Sequence, residues 1–455
     1  MSGHRLSPAP MTTAYPLTRH RQPDTCIAIG ADGPVTVGTF LREAAALARL
    51  LPETAHVVNL CADRYRFAVG FAAALLRRQI TLLPPSDNAA VLAGLREDFP
   101  DAVALHDRAA PDAGMPSLAY PGTLGGNSDA IEMPLVPAEQ PAIVLFTSGS
   151  TGRPVPHAKD WGSLVKSAIA AGRALEIGDL TGAAVIATVP QQHSYGFEST
   201  VMLPLQHGLA LHHGRPFYPA DIAAAIATAP RPRVLVTSPV HLRALLADGV
   251  ALPPLDLIVS ATAPLARDLA IGAERAFATR LVEIYGCSEA GQLATRRTAQ
   301  RDEWRSMDGI ALRQEGSETY ASGPTIVGEI ALGDVIEMTG ERQFRLHGRN
   351  ADLVNIGGKR TSLAHLNHHL NAIDGVDDGV FVMPDDHDGT ARLIALVVAP
   401  TLTADAIMTA LRARIDPVFL PRPLRLLDAL PRNAVGKLTR EAALRAAQLP
   451  PRRFS

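Results

Sequence analysis

Residues 142–154 read Ala142-Ile143-Val144-Leu145-Phe146-Thr147-Ser148-Gly149-Ser150-Thr151-Gly152-Arg153-Pro154. A short apolar run breaks directly into a loop of hydroxyls and glycines. Such a run, bounded by turn residues, is the signature of a buried strand. In the loop, Gly149 and Gly152 let the backbone approach a ligand closely, and Thr147, Ser148, Ser150 and Thr151 supply hydroxyls. Hydroxyls and backbone N–H groups together suit phosphate oxygens. The GxxxxGK[ST] spacing of a Walker loop is absent. A flexible Ser/Gly linker is a poor alternative immediately after a buried strand.

Outward from this stretch the chain alternates apolar runs with amphipathic helical segments. Strands are expected at Ala184–Val189, Arg233–Val236, Leu255–Val259 and Leu281–Ile284. Helices are expected at Ser163–Leu175, Asp221–Ala227, His241–Ala247 and Leu265–Phe277. That rhythm implies a mostly parallel sheet covered by helices on both faces, with ligands beyond the carboxyl ends of the strands. Residues 30 to 110 repeat it more weakly, with strands at Val57–Leu60 and Ile80–Leu83 around a helix at Tyr65–Arg77. Residues 106 to 136, rich in Pro, Gly, Asp and Ser, read as a loop. After about residue 350 the rhythm restarts on a smaller scale, with helices at Ser362–Ile373 and Ala404–Arg414 and strands at Gly379–Met383 and Leu393–Val398. The expectation is an α/β protein: a large N-terminal domain over 1–349 and a small α+β C-terminal domain over 350–455.

Composition excludes several classes. The chain has 455 residues, 47% hydrophobic and 19% charged, which is enough to bury a sizeable core. Its 43 basic and 45 acidic residues give a net charge of −2, so no bulk attraction for nucleic acid or anionic lipid exists. Three Cys with no CxxC pair argue against a disulfide framework or a structural zinc site. The longest apolar run, Phe67 to Leu76, is about half a bilayer span, and no signal-like segment opens the chain. A soluble, cytoplasmic protein without a membrane span is expected. Lys occurs only at 159, 166, 359 and 437, Arg serving elsewhere as the surface cation.

Three further segments carry chemistry. Tyr285-Gly286-Cys287-Ser288-Glu289 follows a strand and offers a hydroxyl and a carboxylate, a donor set for Mg²⁺ against a polyphosphate. The same residues are one Gly short of the GxSxG nucleophile elbow, with Ala290 in the last place, so a serine hydrolase built on Ser288 is a rival reading. Gly348-Arg349-Asn350-Ala351-Asp352 and Gly357-Gly358-Lys359-Arg360 place two Arg around a Gly pair at the domain boundary. Pro431-Arg432-Asn433-Ala434-Val435-Gly436-Lys437-Leu438-Thr439-Arg440 presents a Lys on a turn.

In this order and spacing the four segments resemble the superfamily of adenylate-forming (ANL) enzymes, which includes acyl- and aryl-CoA synthetases, peptide-synthetase adenylation domains and luciferase. Pro190-Gln191-Gln192-His193-Ser194-Tyr195-Gly196 is similar to the family's PxxHxxG segment beside the acyl pocket. Ser260-Ala261-Thr262-Ala263-Pro264-Leu265 is similar to its adenine-side loop. The resemblance implies that a carboxylate attacks the α-phosphate of ATP, and that a thiol then displaces AMP. It further implies that Thr147, Ser148, Gly149, Ser150, Thr151 and Gly152 hold the β- and γ-phosphates. On the same resemblance Glu289 would bind Mg²⁺ with Ser288 nearby. Tyr285 and Gly286 would lie by the adenine, and Asp334 and Arg349 would take the ribose. Arg360 would contact phosphate, and His193 would border the acyl pocket. Lys437, on a small domain that in the family rotates between steps, would touch both the carboxylate and the α-phosphate.

Two departures from the pattern stand out. Val155 occupies the family's Lys position, with Lys159 four residues on, so that either Lys159 swings back or its charge is dispensable. Ala351 occupies the hinge Asp. The Val155-Pro156-His157 variant and the segment Gln192–Glu198 look most like ligases of aryl-polyene and xanthomonadin-type pathways. Those load a hydroxybenzoate-like aromatic acid onto an acyl carrier protein. Coenzyme A as the acceptor, and a catalytically degenerate binder of acid or carrier protein, are the alternatives.

Overall fold

The computed structural model describes residues 13–109, 114–125, 132–148, 154–316, 318–349, 353–356, 359–384, 392–432 and 438–448. An eleven-stranded sheet dominates. Its centre is parallel, in the order Leu281–Cys287, Leu257–Ser260, Arg233–Thr237, Ala184–Ala187, Ala210–His212, Cys26–Gly30. Ala184–Ala187 and Leu257–Ser260 are buried at every position. Helices cover both faces, which is why these strands read as unbroken apolar runs. A six-stranded sheet holds Pro141–Ser148, joined in parallel to Ile80–Leu83 and then His56–Asn59.

Helices begin where a side chain caps the first turn. Asp63 accepts from Arg66 N (3.0 Å) at the start of Arg64–Leu76, and Asp160 accepts from Ser163 N at the start of Trp161–Ala174. Arg64–Leu76 is buried almost all round. Its Phe67 and Phe71 meet Phe197 edge-on at 6.3 and 5.1 Å, and Phe71 packs by Trp161, in one apolar cluster between the two sheets.

The parallel α/β expectation holds in the centre of the large sheet, and its margins add antiparallel pairs. Gly291–Arg296, Trp304–Ser306, Gln343–Arg349 and Asp334–Met338 extend it beyond Leu281–Cys287. The strand expected to stop at Ile284 runs on to Cys287, because its antiparallel partner supplies bonds past the apolar core. Residues 106–136, expected as loop, include Ser117–Ala119 and the start of Leu135–Pro137; three-residue edge strands leave no periodic trace.

After residue 353, Asp378–Val382, Ile394–Val398 and Leu424–Leu426 form a three-stranded sheet with the helices Leu363–Asn371, Ala404–Arg412 and Arg440–Gln448. The two buried clusters here draw only on residues 354–447. Among the described residues, no helix is long and apolar enough to cross a membrane.

Candidate active site

Strand Pro141–Ser148 ends at the hydroxyl-rich stretch and pairs antiparallel with Pro154–Asp160, Ser148 opposite Pro154 and Thr147 opposite Val155. Gly149, Ser150, Thr151 and Gly152 lie outside the described residues. So does Lys437. The backbones of Thr147, Ser148, Arg349 and Arg360 are described.

Glu289 sits in a hairpin connection. Gly286 pairs with Gln292 and Cys287 with Gly291, leaving Ser288, Glu289 and Ala290 as the link. Both glycines are required by close approach. A Cβ on Gly286 would overlap the Gly291 carbonyl oxygen, and Gly291 has φ +83°. Strand Pro154–Asp160 reaches this turn twice: Lys159 Nζ donates to the Glu289 carbonyl at 3.1 Å, and His157 Nε2 lies 3.8 Å from Glu289 Oε1. Lys159 is thus directed at the backbone of this turn. On the other flank the buried Glu198 carboxylate accepts from Gln292 N (3.3 Å), Ser194 Oγ (2.8 Å) and Ser167 Oγ (3.1 Å). Burial, with the Glu289 carboxylate beside it, pushes the Cys287 thiol up to about 12, so no thiolate forms there near neutrality.

This context removes the hydrolase reading. A nucleophile elbow passes from strand to helix, whereas Ser288 is followed by strand Gly291–Arg296.

At the margin of the same sheet the two residues expected at the ribose, Asp334 and Arg349, lie opposite each other. Tyr285 OH donates to Asp334 Oδ2 at 2.7 Å, and Asp334 is the register partner of Arg349. The Tyr285 ring is seated against Trp304 and Phe344 at 5.6 and 5.8 Å. In the expected adenine-side loop Ala261 is buried, Ala263 half-buried and Thr262 exposed at φ +79°, a left-handed conformation seldom adopted by a β-branched residue. The loop's exit is anchored by a residue the sequence reading passed over. Buried Glu283 accepts Leu265 N at 3.1 Å, along with Arg296 Nε and Thr298 Oγ1.

His193 precedes the short helix Ser194–Phe197 and is half-buried. Gly196 explains the spacing of its segment, since a Cβ there would overlap the Pro190 carbonyl. Ser194 and Tyr195, in the same segment similar to the family's acyl-pocket motif, are engaged within the protein. Ser194 bonds Glu198, and Tyr195 OH lies 3.2 Å from Thr237 O and 3.0 Å from Val259 O.

The family model of AMP-binding enzymes matches residues 27–316. A 4-coumarate–CoA ligase of Rhodobacter capsulatus is 31% identical over 310 residues, 66% of this chain and 75% of the relative. A 3-hydroxybenzoate–CoA/4-hydroxybenzoate–CoA ligase of Thauera aromatica is 26% identical over 396 residues, 76% of this chain and 73% of the relative. In fold the chain is similar to ATP-bound MatB from Rhodopseudomonas palustris, with a TM-score of 0.79 at 18% identity over 93% of this chain and 96% of that one. It is equally similar to the o-succinylbenzoate CoA synthetase of Bacillus subtilis bound to its acyl-adenylate, with a TM-score of 0.79 at 18% identity over 95% of this chain and 97% of that one. With the family model spanning more than half of its length, the chain belongs to the AMP-binding enzymes of the adenylate-forming (ANL) superfamily and is an AMP-forming acid–thiol ligase.

Proposed function

We propose that the enzyme activates a hydroxybenzoate-like aromatic acid and passes it to the phosphopantetheine thiol of an acyl carrier protein. In the first step a carboxylate oxygen bonds to the α-phosphorus of ATP and the bond to the β-phosphate oxygen breaks, releasing pyrophosphate. In the second, the thiol sulfur bonds to the acyl carbon, the acyl–oxygen bond to AMP breaks, and the thiol proton leaves to solvent. The observation that carries the reading is the Tyr285–Asp334 pair, with Arg349 opposite Asp334 and Glu289 at the end of the strand that bears Tyr285. A carboxylate held by one hydroxyl still accepts from the two hydroxyls of a ribose.

Mg²⁺ fits the donors on offer. Among the described residues no three acidic, His or Cys groups gather, so the chain contributes Glu289, with Ser288 beside it, to a partial shell. A cation that keeps waters and takes phosphate oxygens needs no more, and when bound it neutralises phosphate charge. Residues 147–152 and Arg360 are assigned to the phosphates, Ala261–Ala263 and Gly286 to the adenine side, and His193 to the acid. Residues 350–455 are assigned as a small domain that carries Lys437 over the site and withdraws it between steps.

The aryl acid is supported by the coumarate and hydroxybenzoate ligases among the relatives. The carrier protein rests on the segments Val155–His157 and Gln192–Glu198. Coenzyme A is the second reading, favoured by the CoA ligases just described. Pyrophosphate exchange with a panel of aryl and fatty acids, each active acid then offered coenzyme A and holo carrier protein, tests both halves. Lys437→Ala is expected to slow exchange about 10²–10³-fold with ATP binding retained, as for loss of a group that stabilises transition-state charge. Exchange at the wild-type rate in that variant, or no exchange with any aryl acid, overturns the proposal.

A further inference from the structure

Two buried side chains of opposite charge close on the turn that bears Glu289. Lys159 is 8% exposed, and among the described residues its only hydrogen bond is to the Glu289 carbonyl. Glu198 is 4% exposed and accepts the amide of Gln292, three residues on. Withdrawing either charge from water costs several kcal/mol. Among the described residues neither forms a salt bridge that would recover it; each is turned to a backbone group of the same short hairpin. Both contacts grip the main chain and leave the Glu289 carboxylate half-exposed. Glu198 also accepts from Ser194, so one carboxylate holds the helix after His193 and the Glu289 turn in a fixed relation. It lies where the helix widens into a π-turn over Glu198–Met202, a local distortion common at functional sites.

We infer that Lys159 and Glu198 form a two-sided backbone clamp that positions Glu289 for Mg²⁺. Both are positioning residues, acting through the main chain of the turn. The inference rests on the Mg²⁺ role assigned to Glu289 above. It also accounts for a Lys at 159 in a chain that otherwise prefers Arg, because a slender stem with a compact head passes between sheets where a planar guanidinium does not.

The test uses the full chain and reads binding. ATP is titrated calorimetrically at graded Mg²⁺ concentrations into wild type, Lys159→Met, Glu198→Ala and Glu198→Gln. Removal of outer-shell partners commonly weakens metal affinity by about 10–100-fold, so the half-saturating Mg²⁺ should rise at least tenfold in Lys159→Met and Glu198→Ala. ATP affinity without Mg²⁺ should not move. Glu198→Gln should restore the wild-type requirement, because its carboxamide oxygen still accepts Gln292 N while its amide donates to Ser194. Hydrogen exchange across residues 287–292 should quicken in the first two variants and not in the third.

An unchanged Mg²⁺ requirement in Lys159→Met and Glu198→Ala overturns the clamp. Parallel loss of Mg²⁺-free ATP affinity, or failure of both to fold, does so too, since the pair would then be holding the core at large. Wild type that binds ATP without regard to Mg²⁺ overturns the assignment of Glu289 itself, a result distinct from the others.

Discussion

Glu283→Gln isolates the anchor beneath the loop Ala261–Leu265. Glu283 is 3% exposed; one carboxylate oxygen takes Arg296 Nε at 2.7 Å and Thr298 Oγ1 at 2.6 Å, the other takes Leu265 N at 3.1 Å. Arg296 lies over the Trp304 ring at 4.4 Å, so its guanidinium is itself largely out of water. Burial raises the Glu283 carboxyl despite Arg296 and Thr298, which says that desolvation outweighs the attraction of the pair. Breaking such a pair from one side costs about 3–5 kcal/mol, whereas exchanging both partners for apolar residues is often near neutral. At ~2 °C per kcal/mol for a large domain, Glu283→Gln should lower the melting temperature by roughly 6–10 °C. Arg296→Met added to it should recover part of the loss, leaving the double variant about 1–3 kcal/mol below wild type for the Leu265 amide and Thr298 hydroxyl still poorly matched. Differential scanning calorimetry of wild type, both singles and the double closes the cycle. The reasoning fails if the two single effects add, because the buried guanidinium would then have had no need of its carboxylate.

Acid should destabilise the fold through buried histidines. Burial lowers His20, His212 and His241 to about 4. Between that value and the ordinary 6.5 the unfolded chain binds protons that the folded one refuses, so stability falls as pH drops through this window and is flat above it. Each site contributes up to about 3 kcal/mol over the full window, and urea melts at pH 7.5 and 5 should separate clearly; coincident melts would refute the assignment. Gly196→Ala should cost about 3 kcal/mol, at the upper end of overpacking, because the added methyl meets the Pro190 backbone, which cannot rotate away as a side chain would. A melting temperature within error of wild type would show that the Pro190–Gly196 turn shifts freely.

The parallel strands were legible because burial on both faces writes them as unbroken apolar runs, as in Ala184–Ala187. Some of the short strands between Gly291 and Arg349 were not, since they mix exposed with buried positions, as in Ala311–Glu315 and Asp334–Met338. Motif residues adjacent in sequence, such as Tyr285 to Glu289, were found as sets. The residues that hold them in place were not, because they act across the fold. Lys159 meets a carbonyl 130 positions away, and Glu198 an amide 94 positions away. A faint signal existed for each. Lys159 is a rare Lys, and Glu198 is a lone charge in Gly196-Phe197-Glu198-Ser199-Thr200-Val201-Met202-Leu203, where only a partnered carboxylate is tolerable.

Burial of other polar groups follows from where the site lies. Parallel strands that end side by side present carbonyl oxygens at their carboxyl ends, and a row of them repels an anionic substrate. Here two side chains claim that row. Arg64, wholly buried, donates to Ala187 O, Val189 O, His212 O and Gly214 O at 2.8–3.4 Å. Tyr195 OH lies on Thr237 O and Val259 O. Ala187, His212, Thr237 and Val259 belong to four neighbouring strands of the large sheet. One guanidinium and one phenol thus cover the carbonyls at the end of the sheet, and the guanidinium adds positive charge beneath them. The Tyr195 hydroxyl is thereby occupied, so under the proposed function the acid would be met by neighbours such as His193, which is half-buried and precedes the same helix.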